Sequence, residues 1–184
     1  MTSMNNGRPE PNEYASYYEK YISLVAEGDI LASLRGQLEE TLRVLGGISE
    51  TQANFRYAPD KWSIKQLVGH VIDGERIFAY RALRFGRNDQ TALPGFDQDQ
   101  YVNNASFDDC TLSGLASEFA HVRRATISLL EHMDDAAWKR LGSANDSEAS
   151  VRALAYIIAG HELHHVEILR SRYLQSRTGN AASL

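Results

Sequence analysis

The chain has a single cysteine, Cys110, so no internal disulfide can staple it. That thiol sits in a polar stretch, NNASFDDCTLSG, and reads as a free cysteine in a loop; a reducing, cytoplasmic location is the expectation. Apolar runs are short, and none approaches the roughly 20 residues needed to span a bilayer. The opening stretch, MTSMNNGRPEPNEY, has no apolar segment of the kind a secretory signal carries. Basic clusters are missing too. With a net charge of −5 and no block of like charges, neither a nucleic acid nor an anionic membrane is an expected partner. No internal repeat and no period-2 strand pattern is visible.

What remains is helical. The 184 residues suit one domain with one core, and a 43% apolar, 23% charged composition is that of an ordinary globular protein. In DILASLRGQLEETLRVLG, Leu31, Leu34, Leu38, Leu42 and Leu45 recur at three- and four-residue steps; Asp29 stands as N-cap and Gly46-Gly47 as the stop. A second helix starts at Ser63, where Ser63 and Gln66 form a capping box and Trp62 and Leu67 a hydrophobic staple, and runs towards Phe85 or Arg87. A third spans about 113 to 133, with Leu115, Phe119, Val122, Thr126, Leu129 and Leu130 on one side. The last runs from about Ser150 to Gln175. Residues 11 to 27 add a short Tyr-rich helical segment, and residues 1–10 and 176–184 are expected to be flexible. Between the second and third helices lies a long linker, residues 86–112. Four amphipathic helices predict an all-α four-helix bundle.

Chemistry concentrates in HELHH, residues 161–165. As spelling it matches the H-E-x-x-H of zinc proteases, yet beyond Glu167 no His, Asp, Glu or Cys supplies a third ligand. A second Glu-x-x-His, Glu118 with His121, raises a di-iron reading. That reading lacks well-placed carboxylates: Glu39 and Glu40 lie beside the apolar stripe of the first helix, and His70 stands where a carboxylate is wanted. On a helix His161 and His165 are offset by about 40° and share the face of Leu154, Ile157, Ile158 and Ile168. His164 lies nearer the stripe's edge. His70 also points inward from the second helix, towards the side of Leu67, Gly74, Ile77 and Phe78. Either the three histidines pack as core residues, or they converge on a metal and leave a coordination position open. Asp73 and Glu162 are candidate acids, bases or imidazole partners, with structural roles as the plainer alternative.

The segments APDKWSIKQLVGHVIDGERIFAYRALRFGRND, PGFDQDQYV and AYIIAGHELHHVEIL resemble the DinB-like, or YfiT-like, superfamily of bacterial four-helix-bundle proteins described as metal-dependent hydrolases. The resemblance runs from about Glu10 to Leu174. It implies an up-down-down-up bundle whose long helix 2 to helix 3 connection is a crossover. It further implies one divalent metal on His70, His161 and His165, and often a homodimer. Zn or Ni is the expected ion, with Fe, Mn or Cu also compatible with three imidazoles. Characterised relatives include transferases that use a low-molecular-weight thiol. The expected activity is therefore thiol transfer to an electrophilic small-molecule substrate, with metal-dependent hydrolysis or a non-catalytic, stress-associated metal-binding role as the alternatives.

Overall fold

Side-chain caps fix where the long helices begin. The computed structural model describes residues 7–175. After two 3-10 turns, Pro11–Glu13 and Ser16–Tyr18, comes a single helical turn, α1 (Glu19–Ile22). Helix α2 (Ile30–Gly46) starts on Asp29, whose Oδ1 accepts from the Leu31 N–H at 2.8 Å. A one-turn α3 (Glu50–Ala53) precedes α4 (Ile64–Gly86). The Ser63–Gln66 box at the head of α4 is present in both directions, at 3.1 Å each way. Then follow α5 (Gln98–Asn104), α6 (Leu112–Glu131), α7 (Asp135–Trp138), β1 (Leu141–Ala144), β2 (Ser147–Ser150) and α8 (Val151–Ile168). The last of these continues into a π-helical stretch, Leu169–Leu174. Thr111 and Ser150 cap α6 and α8 with their hydroxyls. Each such cap contributes about 1 kcal/mol.

The long helices α2, α4, α6 and α8 form a four-helix bundle, and contacts at their ends give the direction of each. Phe107, just before α6, lies against Gly69 near the start of α4, while Met133, just after α6, meets Gly86 at the end of α4. These two helices are parallel. Between α2 and α6 the order reverses: Arg35 near the start of α2 pairs with Glu131 at the end of α6. Tyr173 donates to the Trp62 carbonyl at 2.8 Å, while Gly142, ahead of α8, touches Phe85, so α8 is antiparallel to α4. The result is up-down-down-up, with α2 and α4 each touching α6 and α8. The 86–112 segment is the crossover that this order requires.

The core has two apolar clusters. One holds Ile30, Leu34, Phe78, Phe85, Leu130, Trp138 and Leu154; the other holds Leu38, Ile72, Leu115, Phe119 and Leu169. Burying each of these large side chains stabilises the fold by roughly 1.5–3 kcal/mol. Between the clusters lies a polar layer, in which the candidate site sits.

One expectation needs correction. Residues 141–150 form a β-hairpin, where no strand was expected. Leu141 pairs with Ser150 and Ala144 with Ser147, around a two-residue turn in which Asn145 and Asp146 both have positive φ, 53° and 57°. The strands LGSA and SEAS lack β-branched residues, so only the Asn-Asp turn could have announced them. Of the termini expected to be flexible, residues 1–6 and 176–184 lie outside the described residues, and Arg8 donates to the carbonyls of Ile22 at 2.7 Å and Val25 at 2.5 Å, and to Glu27 at 2.6 Å. No helix of the described residues is long and apolar enough to cross a membrane.

Candidate metal centre

His70 lies in the second turn of α4, and His161 and His165 one turn apart on α8. Because these helices are antiparallel neighbours, the three rings meet. His70 Nε2 and His161 Nε2 are 3.0 Å apart, and one ring nitrogen from each of the three histidines lies within 4.8 Å of the others. All three are buried, with 3%, 6% and 9% of their surface exposed. Two glycines make the approach possible. A Cβ on Gly74, one turn beyond His70, would sit 3.0 Å from His161 Cε1. At Gly160 any side chain would overlap the Tyr21 backbone, which here crosses α8 closely enough for the Tyr21 ring to stand edge-on to His161 and His164, each at 5.4 Å. Trp62 covers His70 at 4.7 Å between ring centres.

Burial sets the protonation of the cluster. It pushes His70 down to about 4, with the nearby His164 adding to the effect. It pushes His161 down to about 3, assisted by His70, and His165 well below the ordinary histidine range. The three imidazoles are therefore neutral near pH 7, each with one lone pair, and the His70–His161 contact is a hydrogen bond in which one ring's N–H meets the other's lone pair. His165 Nδ1 is buried with no hydrogen-bond partner. Such an orphan costs roughly 1–3 kcal/mol. No carboxylate hydrogen-bonds any of the three rings among the described residues. Neutral, converging nitrogens, one of them unsatisfied, are the donor set a borderline divalent metal accepts.

Beside the histidines, every long helix contributes to one buried ionic network. Arg123 of α6, completely buried, donates through Nη2 to Glu75 of α4 at 2.8 Å and through Nη1 to Glu162 of α8 at 2.6 Å. Nη1 also reaches the Leu34 carbonyl of α2 at 3.3 Å. Thr41 of α2 donates to the other Glu162 oxygen at 2.6 Å. Burial pushes the Glu162 carboxyl up, against the opposing pull of Arg123. Sequence reasoning missed Arg123, and it placed only the first and last residues of HELHH towards the core. Glu162 faces the core as well, with 1% of its surface exposed. The available signal was the position of Arg123 within the stripe Phe119, Arg123, Thr126, Ile127, Leu130.

The remaining candidates lie elsewhere. Glu118 pairs with Arg76 at 2.7 Å, His121 is exposed, and Glu40 pairs with Arg43, so no di-iron constellation forms among the described residues. Asp73 pairs with Arg76, and burial pushes its carboxyl up against that partner's pull. His164 is half-buried against Tyr21, and Cys110 is exposed.

Two cavities reach the triad from different sides. One, of about 350 Å³, is walled by His70 and His161 together with Tyr18, Tyr21, Phe78 and Arg81. The other, of about 590 Å³, reaches His165 past Trp62, Tyr57 and Tyr173. Both fall within the range of small-molecule sites.

Fold and site together define a four-helix bundle with a buried three-histidine cluster contributed by two antiparallel helices. The chain belongs to the DinB superfamily, whose family model matches residues 33–169. It is 27% identical over 155 residues to a Geobacillus thermodenitrificans (strain NG80-2) protein named "Putative metal-dependent hydrolase", a match covering 81% of this chain and 84% of that one. Its fold is similar, with a TM-score of 0.67, to that of YfiT from Bacillus subtilis, described as "a probable metal-dependent hydrolase with an unusual four-helix bundle topology". That likeness covers 94% of both chains at 19% identity.

Proposed function

We propose that the chain binds one divalent metal ion, Zn or Ni, through His70, His161 and His165, and transfers a low-molecular-weight thiol to an electrophilic small molecule. The observation that carries this reading is the meeting of two separate cavities at one histidine cluster, because a transfer reaction has two substrates to seat. When bound, the ion would supply Lewis acidity and favour the thiolate form of a coordinated thiol. The chain's own residues do the rest. Three neutral imidazoles provide the donor set. Trp62 and Tyr21 cover the rings and restrict water. The Arg123–Glu162 bond holds α8, and with it His161 and His165, in place. The same network meets α8 at Glu162, the residue next to His161, so it positions the helix that carries two of the three donors.

The names of the two relatives favour a second reading, hydrolysis at the same triad with water as nucleophile. Metal analysis of protein purified without a histidine tag tests the first step. One metal per chain is expected, with none retained in His161→Ala. Glutathione, bacillithiol and mycothiol, each supplied with chlorodinitrobenzene, then test transfer. Thiol consumption that depends on the metal supports the transferase. Ester hydrolysis that depends on the metal but is indifferent to thiol supports the hydrolase. Protein that takes up no metal after reconstitution defeats both.

A further inference from the structure

Among the described residues Arg81 is a buried cation with no anion. It stands on α4 eleven residues, or about three turns, beyond His70, so the two share a face to within about 20°. Only 4% of its surface is exposed. Its guanidinium donates from Nη2 to the Pro94 carbonyl at 3.0 Å, and no carboxylate takes its other donors among the described residues. Several other arginines are paired with carboxylates: Arg123 with Glu75 and Glu162, Arg84 with Asp89, Arg76 with Glu118, Arg152 with Glu13. Leaving a buried guanidinium without a counter-charge is costly.

Its surroundings say what would complete it. Arg81 lines the first cavity, whose wall contains no aspartate or glutamate. The rest of that wall combines aromatic rings, Tyr17, Tyr18, Phe78 and Phe96 among them, with the neutral polar side chains of Gln98, Asn145 and Ser147. Lys20 lies at the same end of the molecule, its Nζ 3.7 Å from the centre of the Tyr17 ring. The arginine is also anchored. Pro94 follows Leu93, whose backbone is held to the hairpin by the Leu93 N–H to Ser143 carbonyl bond at 2.9 Å and the Asn145 N–H to Leu93 carbonyl bond at 3.0 Å. The hairpin therefore fixes the crossover, and the crossover fixes one edge of the guanidinium. The unused edge offers the planar fork that matches a carboxylate.

We propose that Arg81 is the specificity-determining residue of the first cavity, receiving the carboxylate of an elongated substrate with an apolar or aromatic body. Elongation follows from the helix: the Cα atoms of His70 and Arg81 are about 16 Å apart along its axis, a gap shortened by the lean of the arginine side chain towards the N-terminus. The carboxylate sits at the arginine and the reacting end at the triad. This inference rests on the first cavity being the substrate site.

The test uses the full chain, as purified and after chelator treatment, with phenylpropionate and its neutral amide as probes and calorimetry as readout. In chelator-treated protein the acid is expected to bind at least about tenfold more tightly than the amide, a difference too large for size or apolar contact to explain in such a matched pair. In Arg81→Met the preference should vanish, and in Arg81→Lys it should fall without vanishing. Because Arg81→Met could fail to fold, the Arg81 Nε–Hε resonance of the unmodified chain is followed during the same titration, and it should shift with the acid and not with the amide. Equal affinity for the two probes, no binding of the acid at millimolar concentration, a resonance that does not move, or a preference that survives in folded Arg81→Met would each overturn the proposal. Removing the metal separates the two ideas. A chain that binds the acid through Arg81 yet never takes up metal keeps this inference and defeats the metal reading.

Discussion

Arg123 donates to Glu162 at 2.6 Å, and Glu162 is the residue next to His161. The bond ties α6 to the helix that carries two of the three histidines. Its removal has a predictable size. Arg123→Met leaves Glu75 and Glu162 buried without their cation, and breaking a buried pair in this way costs about 3–5 kcal/mol. Denaturant unfolding of metal-depleted protein measures it. Replacing Arg123, Glu75 and Glu162 together with apolar residues of similar volume should recover most of the loss, since no charge is then stranded. A single substitution costing under about 1 kcal/mol would show that the network is solvated in solution.

Metal content should follow the triad and ignore the other Glu-x-x-His. His70→Ala and His165→Ala, like His161→Ala, are each expected to abolish stoichiometric binding. Glu118→Gln and His121→Ala should leave it unchanged, because Glu118 is engaged by Arg76 and His121 points to solvent. Elemental analysis after gel filtration reads the outcome; two metals per chain, reduced to one by Glu118→Gln, would restore the di-iron arrangement.

Acid should destabilise the metal-depleted chain. In the unfolded state the histidines titrate near their ordinary value of 6.5, whereas burial holds His70 to about 4 and His161 to about 3 when folded. Above 6.5 both states are neutral and the pair adds no pH dependence. Between 6.5 and 4 the unfolded chain binds protons that the folded chain refuses. Stability present above 6.5 is therefore lost as the pH falls, by about 1.4 kcal/mol per pH unit for each such group. Unfolding curves at pH 7.5, 6 and 5 should show this slope, and His70→Phe should reduce it. Protons compete for the same lone pairs as a metal, so the folded site's affinity for the ion should hold down to about pH 4 and fall below it, where His70 begins to titrate.

Gly160→Ala probes the contact between α8 and the N-terminal segment. Its new methyl would overlap the Tyr21 backbone, which cannot yield as the tip of a flexible side chain would. A loss of about 1–3 kcal/mol is expected, as for other overpacked positions. Limited proteolysis near Lys20 should accelerate at the same time. Unchanged stability and unchanged cleavage would mean that the segment does not hold this position in solution.

Local signals made much of the architecture legible. The Ser63–Gln66 box and the Asp29 cap act within one turn, so sequence spacing alone reveals them. His70, His161 and His165 could be brought together because each lies on an apolar helical face. Arg123 was hidden for the opposite reason: an arginine reads as surface until the two glutamates that neutralise it, from α4 and α8, are seen around it. Glu162 was hidden with it. The hairpin escaped because its short strands carry residues with no strand preference, and the bridge from Leu93 of the crossover to Ala144 is a long-range contact that spacing does not reveal. Arg81 looked equally ordinary, since nothing in a string of letters says that no carboxylate will arrive.

The up-down-down-up order also bears on how the chain folds. Consecutive long helices α2 and α4 face each other across a diagonal, as do α6 and α8, so neither pair can form a helical hairpin as an early local unit. The histidines of the site are 91 residues apart between His70 and His161. Distant segments must be brought together before either core cluster closes, and the entropy of that loop closure is spent before contacts repay it. Among helix-bundle chains of its length this one should fold slowly. Its site should be among the last parts to assemble.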